Sequence, residues 1–319
     1  MSSQQDLQLI AQVAKLYYEE RFTQQAIADQ LDLSRQKVSR MLLRAREEGI
    51  VRIKVFDPIP TNRDLEKEFQ EVTGIRHVVL VSGEGLEEDT LRRRIGAAGA
   101  EFIGRTIVDG QVVGIGWGRT LNAFVNALPK THKKDISVVP LVGGIGELAP
   151  AFQVNELARR LAEALGGSYR FFHLPALTYD LEVWEALMRT KEVDSISKHW
   201  ATLGAAFVGI GHVGLQHAST MFIGDYIPPV HLAQLEAKGA VGDICGRFYD
   251  IRGNPVVVGA GVIGISLGEL TTVPEVIALA GGLEKTRAIL GALKGGLIST
   301  LISDTATVRA VLRDLYAKV

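Results

Sequence analysis

The chain contains a single cysteine, Cys245, among 319 residues. This excludes an internal disulfide framework and a zinc site built on cysteine pairs, and it suits a reducing cytoplasm. Long apolar runs are missing too. The most apolar stretch, residues 255–267, is short and interrupted by glycine, whereas a helix crossing a bilayer needs about 20 apolar residues. The first ten residues, MSSQQDLQLI, hold no apolar signal core, so neither export nor a membrane partner is expected. Nor is one sign of charge in excess: 35 basic residues stand against 36 acidic, a formal net charge of −1. Taken over the whole chain, that speaks against a basic nucleic-acid binder. Repeats of fixed period and low-complexity tracts are also absent.

What remains is ordinary globular composition, 47% hydrophobic and 22% charged, on a length that predicts two domains. Glycine is the exception. Its 34 residues exceed the usual ~7%, so many loops must approach something closely or take positive φ. Residues 6–20 read as an amphipathic helix with Leu9, Val13, Leu16 and Tyr17 on one face. Helical patterns follow at 24–31 and 35–48, Gly49 stops the second, and IVRIKVFDP at 50–58 reads as a strand. Asp57, Pro58, Pro60 and Thr61 mark a linker. The expected division is a domain at 1–56, a linker at 57–61 and a second domain at 62–319, entered through a charged helix at 62–72.

Within the first domain, residues 24–43 match a helix-turn-helix. Thr23 and Ser34 are placed to cap the two helices. Ala28 is small where crossing helices touch, and Ile27, Leu31, Leu33, Val38 and Met41 supply the apolar contacts. Asp32 stands where the turn usually has glycine, and aspartate tolerates the left-handed conformation better than most residues. Ser34, Arg35, Gln36, Lys37, Ser39, Arg40 and Arg44 face outward from the second helix, a set suited to phosphates and major-groove base edges. Residues 35–54 hold seven basic side chains against two acidic. With the strand after Gly49 as a wing, residues 1–56 are expected to bind double-stranded DNA. The near-neutral total therefore dilutes a compact basic segment.

The second domain alternates short apolar runs that end in glycine (VVLVSG, VVGIGWG, ISVVPLVGG, AAFVGIG, PVVVGAG, VIALAGG) with helical segments. This predicts a Rossmann-like α/β domain around a parallel sheet, with ligands at the carboxyl ends of the strands. The loop Gly114-Ile-Gly-Trp-Gly-Arg-Thr120 opens a helix, and its amides, the Thr120 hydroxyl and the Arg119 cation suit a phosphate. A tight turn needed for packing is the alternative. It is neither a dinucleotide fingerprint nor a P-loop: Arg119 takes the place of the third glycine, and no Gly-Lys-Ser/Thr triplet occurs. Gly143 and Gly144 end the next strand and could line the same crevice. Asp243 offers a carboxylate to ligand hydroxyls, unless it is a solvated loop residue. Lys285, at a helix start where the dipole disfavours it, is rationalised by a nearby anion, though an exposed lysine is the simpler reading.

Enzyme patterns mostly fail. Gly264-Ile-Ser-Leu-Gly268 matches a nucleophile elbow, but no HGGG-type loop precedes it and no histidine follows His231. Ser266 is read as a turn residue. His212 and His217 lie five apart, off the i, i+4 spacing of a helical metal pair, so no metal is expected. No cofactor is expected either.

Taken together, the helix-turn-helix, GIGWGRTL at 114–121, GDICGRFYD at 242–250, AGGLEKTRAILGAL at 280–293 and LISD at 301–304 resemble the SorC-type sugar-binding transcriptional regulators. That group includes deoxyribonucleoside and central-glycolysis regulators. The likeness spans nearly the whole chain. It implies a DNA-binding domain joined to an effector domain related to sugar-phosphate isomerases, a homo-oligomer, typically a tetramer, and a sugar or sugar phosphate as effector. It also implies that Gly116, Trp117, Gly118, Arg119 and Thr120 hold the phosphate with Lys285, while Asp243 binds sugar hydroxyls. Leu141 and Val142 stand where some members carry a cation, and one type a Schiff-base lysine, so covalent capture of an aldehyde there is not expected. Thr305 stands where an acidic residue is frequent. The expected function is a regulator, most simply a repressor, of carbohydrate genes and not an enzyme. The rival is a sugar-phosphate isomerase, deaminase or aldolase with an appended DNA-binding domain.

Overall fold

In the computed structural model, the described residues are 3–51, 62–131, 133–146, 150–214, 227–259 and 261–317. The chain divides into two compact units, Met1–Pro60 and Thr61–Val319.

The first unit packs helices α1 (Ser3–Tyr18), α2 (Gln24–Leu31) and α3 (Arg35–Glu47) around Ile10, Val13, Ile27, Val38 and Ala45, none of them exposed. The caps decide where the helices begin. The Thr23 hydroxyl accepts the Ala26 N–H at 3.2 Å, and the Ser34 hydroxyl accepts the Lys37 N–H at 3.2 Å. Asp32 closes α2 in the left-handed conformation at φ +53°. The strand expected at 50–58 falls almost wholly, and the 57–61 linker wholly, outside the described residues.

The second unit begins with α4 (Arg63–Thr73). Its strands in chain order are β1 (His77–Val81), β2 (Val112–Ile115), β3 (Ser137–Pro140), β4 (Ser168–Tyr169), β5 (Leu177–Thr178), β6 (Leu203–Gly209) and β7 (Gly211–His212), followed by β8 (Ala240–Ile244), β9 (Arg247–Asp250), β10 (Pro255–Val256), β11 (Gly261–Val262), β12 (Glu275–Leu279) and β13 (Thr300–Asp304). The helices between them are α5 (Glu88–Thr106), α6 (Arg119–Ala127), α7 (Val154–Leu165), α8 (Leu181–Met188), α9 (Lys191–Trp200), α10 (Pro229–Ala237), α11 (Leu267–Leu270), α12 (Thr286–Lys294) and α13 (Thr305–Tyr316).

Seven strands form one parallel sheet in the order β1-β13-β12-β6-β2-β3-β4. From β2 the chain steps outward to β3 and β4, and from β6 it steps the other way to β12 and β13. The order therefore reverses between β2 and β6, and the crevice beyond their carboxyl ends is where open α/β sheets bind ligands. A second, antiparallel sheet in the order β10-β9-β8-β7 carries the hairpin β8–β9. Its two turn residues, Cys245 and Gly246, both have positive φ, +51° and +76°, as a type I′ turn requires.

Two strands differ from the sequence expectation. The run at 255–261 is not a parallel strand: Pro255 and Val256 pair at the edge of the antiparallel sheet, and Gly261 and Val262 pair with β5. Proline has no N–H for a central ladder, so an edge is the place left to it. Conversely, TLISD at 300–304 is wholly buried between β1 and β12. Its polar Thr300, Ser303 and Asp304 conceal it from an apolar-run reading.

Candidate functional site

The loop after β2 is fixed from both sides. The Gly116 N–H donates to Phe207 O at 2.9 Å, which pins the loop to β6. A Cβ on Gly116 would lie 3.1 Å from Cys245 Sγ. Gly118 caps α6 at φ +128°, a conformation closed to L side chains without strain. The first amides of α6 have no intrahelical acceptor, and with the helix dipole they favour an anion. Thr120 is buried in the first turn and Trp117 is buried in the loop.

These residues line a cleft together with Arg119, Asp243, Cys245 and Lys285. Asp243 is the fourth residue of β8 and is 4% exposed. Its Oδ2 accepts the Gly246 N–H at 3.2 Å from the turn, whereas its buried Oδ1 has no hydrogen-bond partner among the described residues. Burial raises the carboxyl to about 6, against the Gly246 N–H and the positive charge of Lys285. A solvated loop aspartate is thereby ruled out. Lys285 ends the short 3₁₀ turn Leu283–Lys285 before α12. Desolvation lowers its ammonium to about 8, and the neighbouring cations Arg92 and Arg119 act in the same direction.

Sequence reasoning missed Arg92. It projects from the first turns of α5 with a side chain only 12% exposed, ion-paired to Glu88 and Asp89. Desolvation, then the charge of Arg119, pushes it down to about 10. The run Arg92–Arg94 reads as an ordinary solvated helix face, and only packing singles out its first member. His212, buried on β7, also lines the cleft. It was weighed in the sequence only beside His217, which lies outside the described residues. Burial pushes the Cys245 thiol up, so it packs in its neutral form.

Gly143 and Gly144 are not brought to the cleft. Their amides donate to Ile263 O and Leu174 O, both at 2.9 Å. A Cβ on Gly143 would meet Pro175 O at 2.3 Å, so this glycine serves a close backbone crossing. Ser266 caps α11 in a reciprocal pair with Glu269. Among the described residues no group of three side chains is arranged to hold a metal, and no helix is long and apolar enough to cross a membrane.

In the first unit, Arg35, Gln36, Lys37, Ser39 and Arg40 stand exposed on α3. Ser34 uses its hydroxyl in the cap. Arg44 is engaged internally: Nη1 pairs with Asp6 at 2.7 Å and Nη2 with Glu48 at 2.8 Å.

Cations and a buried carboxylate face one crevice of a parallel sheet, and comparison with known proteins places the chain in the class of sugar-binding transcriptional regulators. The family model Sugar-bind, described as "Putative sugar-binding domain", matches residues 57–313. The chain is 32% identical to the sorbitol operon regulator of Klebsiella pneumoniae over 317 residues, covering 98% of this chain and all of that one. It is also 32% identical to the deoxyribonucleoside regulator of Bacillus subtilis (strain 168) over 310 residues, 97% and 98% of the two chains. The crystal structure of full-length SorC from Klebsiella pneumoniae superposes with a TM-score of 0.79 at 32% identity, over 96% of this chain and 99% of that one. This chain belongs to the SorC family of sugar-binding transcriptional regulators.

Proposed function

We propose that the chain is a repressor of carbohydrate genes whose first unit, a winged helix-turn-helix, binds operator DNA and whose second unit binds a small phosphorylated sugar. The observation that carries the effector reading is the pairing in one cleft of the Gly116–Thr120 loop and its cations with the unpartnered Oδ1 of Asp243. Phosphate oxygens accept from the loop amides, Arg119, Arg92 and Lys285, while a sugar hydroxyl donates to Asp243. We extend the proposal to kinship of the second unit with sugar-phosphate isomerases at the level of fold, a reading with which its parallel sheet is compatible. We take the regulator to work as a homo-oligomer, a tetramer, so that two or more reading heads address spaced half-sites.

Regulation requires the effector to bind the DNA-competent and incompetent states with different affinities. The path for that coupling is the 57–61 linker and α4. The test is a mobility-shift titration of operator DNA with a panel of phosphosugars and the corresponding free sugars. A phosphosugar should shift operator binding and raise the melting temperature. No response in either readout to any of them sinks the effector reading. Incubation with the active phosphosugar followed by product analysis should return it unchanged, and turnover would favour the rival enzyme.

A further inference from the structure

A second depression lies between α5 and α6. Arg92 and Arg119 belong to both cavities. The rest of the polar wall consists of Arg93, Asn122, Asn126 and one carboxylate, Asp89, which is already ion-paired to Arg92. Asn122 and Asn126 are four residues apart and so share a face of α6. Arg160 on α7 holds both: Nη1 donates to Asn122 Oδ1 at 3.0 Å and Nη2 to Asn126 Oδ1 at 2.8 Å. A guanidinium has five donors and no acceptor, so each amide must turn its oxygen to Arg160. What each amide then has left to offer is its Nδ2, with two N–H donors. The wall is thus rich in donors and positive charge, and its one carboxylate is drawn to Arg92 through Oδ1. A phosphate dianion, which accepts at every oxygen, matches this excess of donors and positive charge better than a neutral sugar, whose hydroxyls must also donate.

We propose that this groove is a second anion site that takes a phosphate group, contiguous with the effector cleft through Arg92 and Arg119. It rests on the anion reading of the inner cleft through those two shared arginines. The phosphate can come from two sources, the second phosphate of a bisphosphorylated sugar or free inorganic phosphate.

Calorimetric titration of the full-length protein with inorganic phosphate should give two equivalents per chain. The double variant Asn122→Asp/Asn126→Asp keeps an oxygen on Arg160 and replaces the outward donors with acceptors and negative charge. It should lose one equivalent while its thermal melt stays close to the parent's. Arg93→Gln should weaken the same equivalent at least fivefold. With glucose 6-phosphate saturating the inner cleft, continued binding of one phosphate identifies the groove as a site for a separate anion. Glucose 1,6-bisphosphate that blocks this phosphate, and is itself weakened in the double variant, identifies one ligand spanning both cavities. A single equivalent indifferent to all three substitutions overturns the groove and leaves the inner cleft standing. No phosphate binding at all overturns both.

Discussion

Asp243 is where the chemistry of the cleft is most exposed to experiment. Its carboxyl, raised to about 6 by burial, accepts hydroxyls at both oxygens and with full charge only when ionised, and Lys285, lowered to about 8, attracts a phosphate by charge only when protonated. Effector affinity should therefore rise as pH passes about 6 and fall as it passes about 8, giving a bell that calorimetry between pH 5 and 9 would trace. The phosphate's own second ionisation, with pKa about 6, adds to the acid limb, so Asp243→Asn is the control. It should lower affinity about tenfold or more by replacing one acceptor oxygen, and a curve unchanged by this substitution would remove Asp243 from the site. In the free protein the sign is opposite. The folded-state carboxyl binds its proton more tightly than the usual 3.8, so its contribution to stability declines as pH rises from about 4 through about 6. Arg40 and Arg44 make a second residue-scale contrast. Arg40→Ala should weaken specific DNA binding by about 1–3 kcal/mol with the fold intact. Arg44→Ala removes contacts to Asp6 and Glu48, and should mainly lower the melting temperature of the first unit slightly, because exposed ion pairs are screened by solvent. Mobility shifts and thermal melts separate the two, and equal losses of DNA affinity would mean that Arg44 leaves its internal partners to bind DNA.

Among the elements, the turn between α2 and α3 and the start of α6 show how short signals set geometry. Ser34→Ala removes the acceptor for the Lys37 N–H and should destabilise the first unit by about 1 kcal/mol. Asp32→Gly should move the other way by a few tenths of a kcal/mol up to about 1, since φ +53° costs glycine nothing. Denaturant midpoints measure both, and a neutral Ser34→Ala would mean that solvent replaces the cap. These caps were legible in the sequence because a cap is a local hydrogen bond between a named side chain and an amide three residues on. The loop at Gly116–Thr120 was legible from its glycine spacing, which lets Gly118 open α6 at φ +128°. Gly143 and Gly144 look alike in sequence, yet they serve the crossing with Leu174–Pro175, a contact that no local pattern records.

For the molecule as a whole, linkage supplies the sharpest expectation. If a phosphosugar changes operator affinity by some factor, operator DNA must change phosphosugar affinity by the same factor. Measuring both, by mobility shift and by calorimetry on the preformed complex, checks that one equilibrium connects the two units. Unequal factors would show that a further species, such as a change of oligomeric state, takes part.

The sequence by itself determined the division into two units, the capped helices of the first, the parallel-sheet class of the second and the glycine loop that opens α6. Each of these is written in periodicity, capping residues or glycine spacing, which act over a few residues. Tertiary structure alone decided which charged groups meet. It carried Arg92 out of a run that reads as solvated and into the cleft, and it buried Asp243 with one oxygen unpartnered among the described residues. It also engaged Arg44 with Asp6 and Glu48, and placed polar TLISD at the centre of the sheet. The reason is physical: desolvation and charge depend on what distant segments bring within a few ångströms, and composition and spacing along the chain do not record that distance.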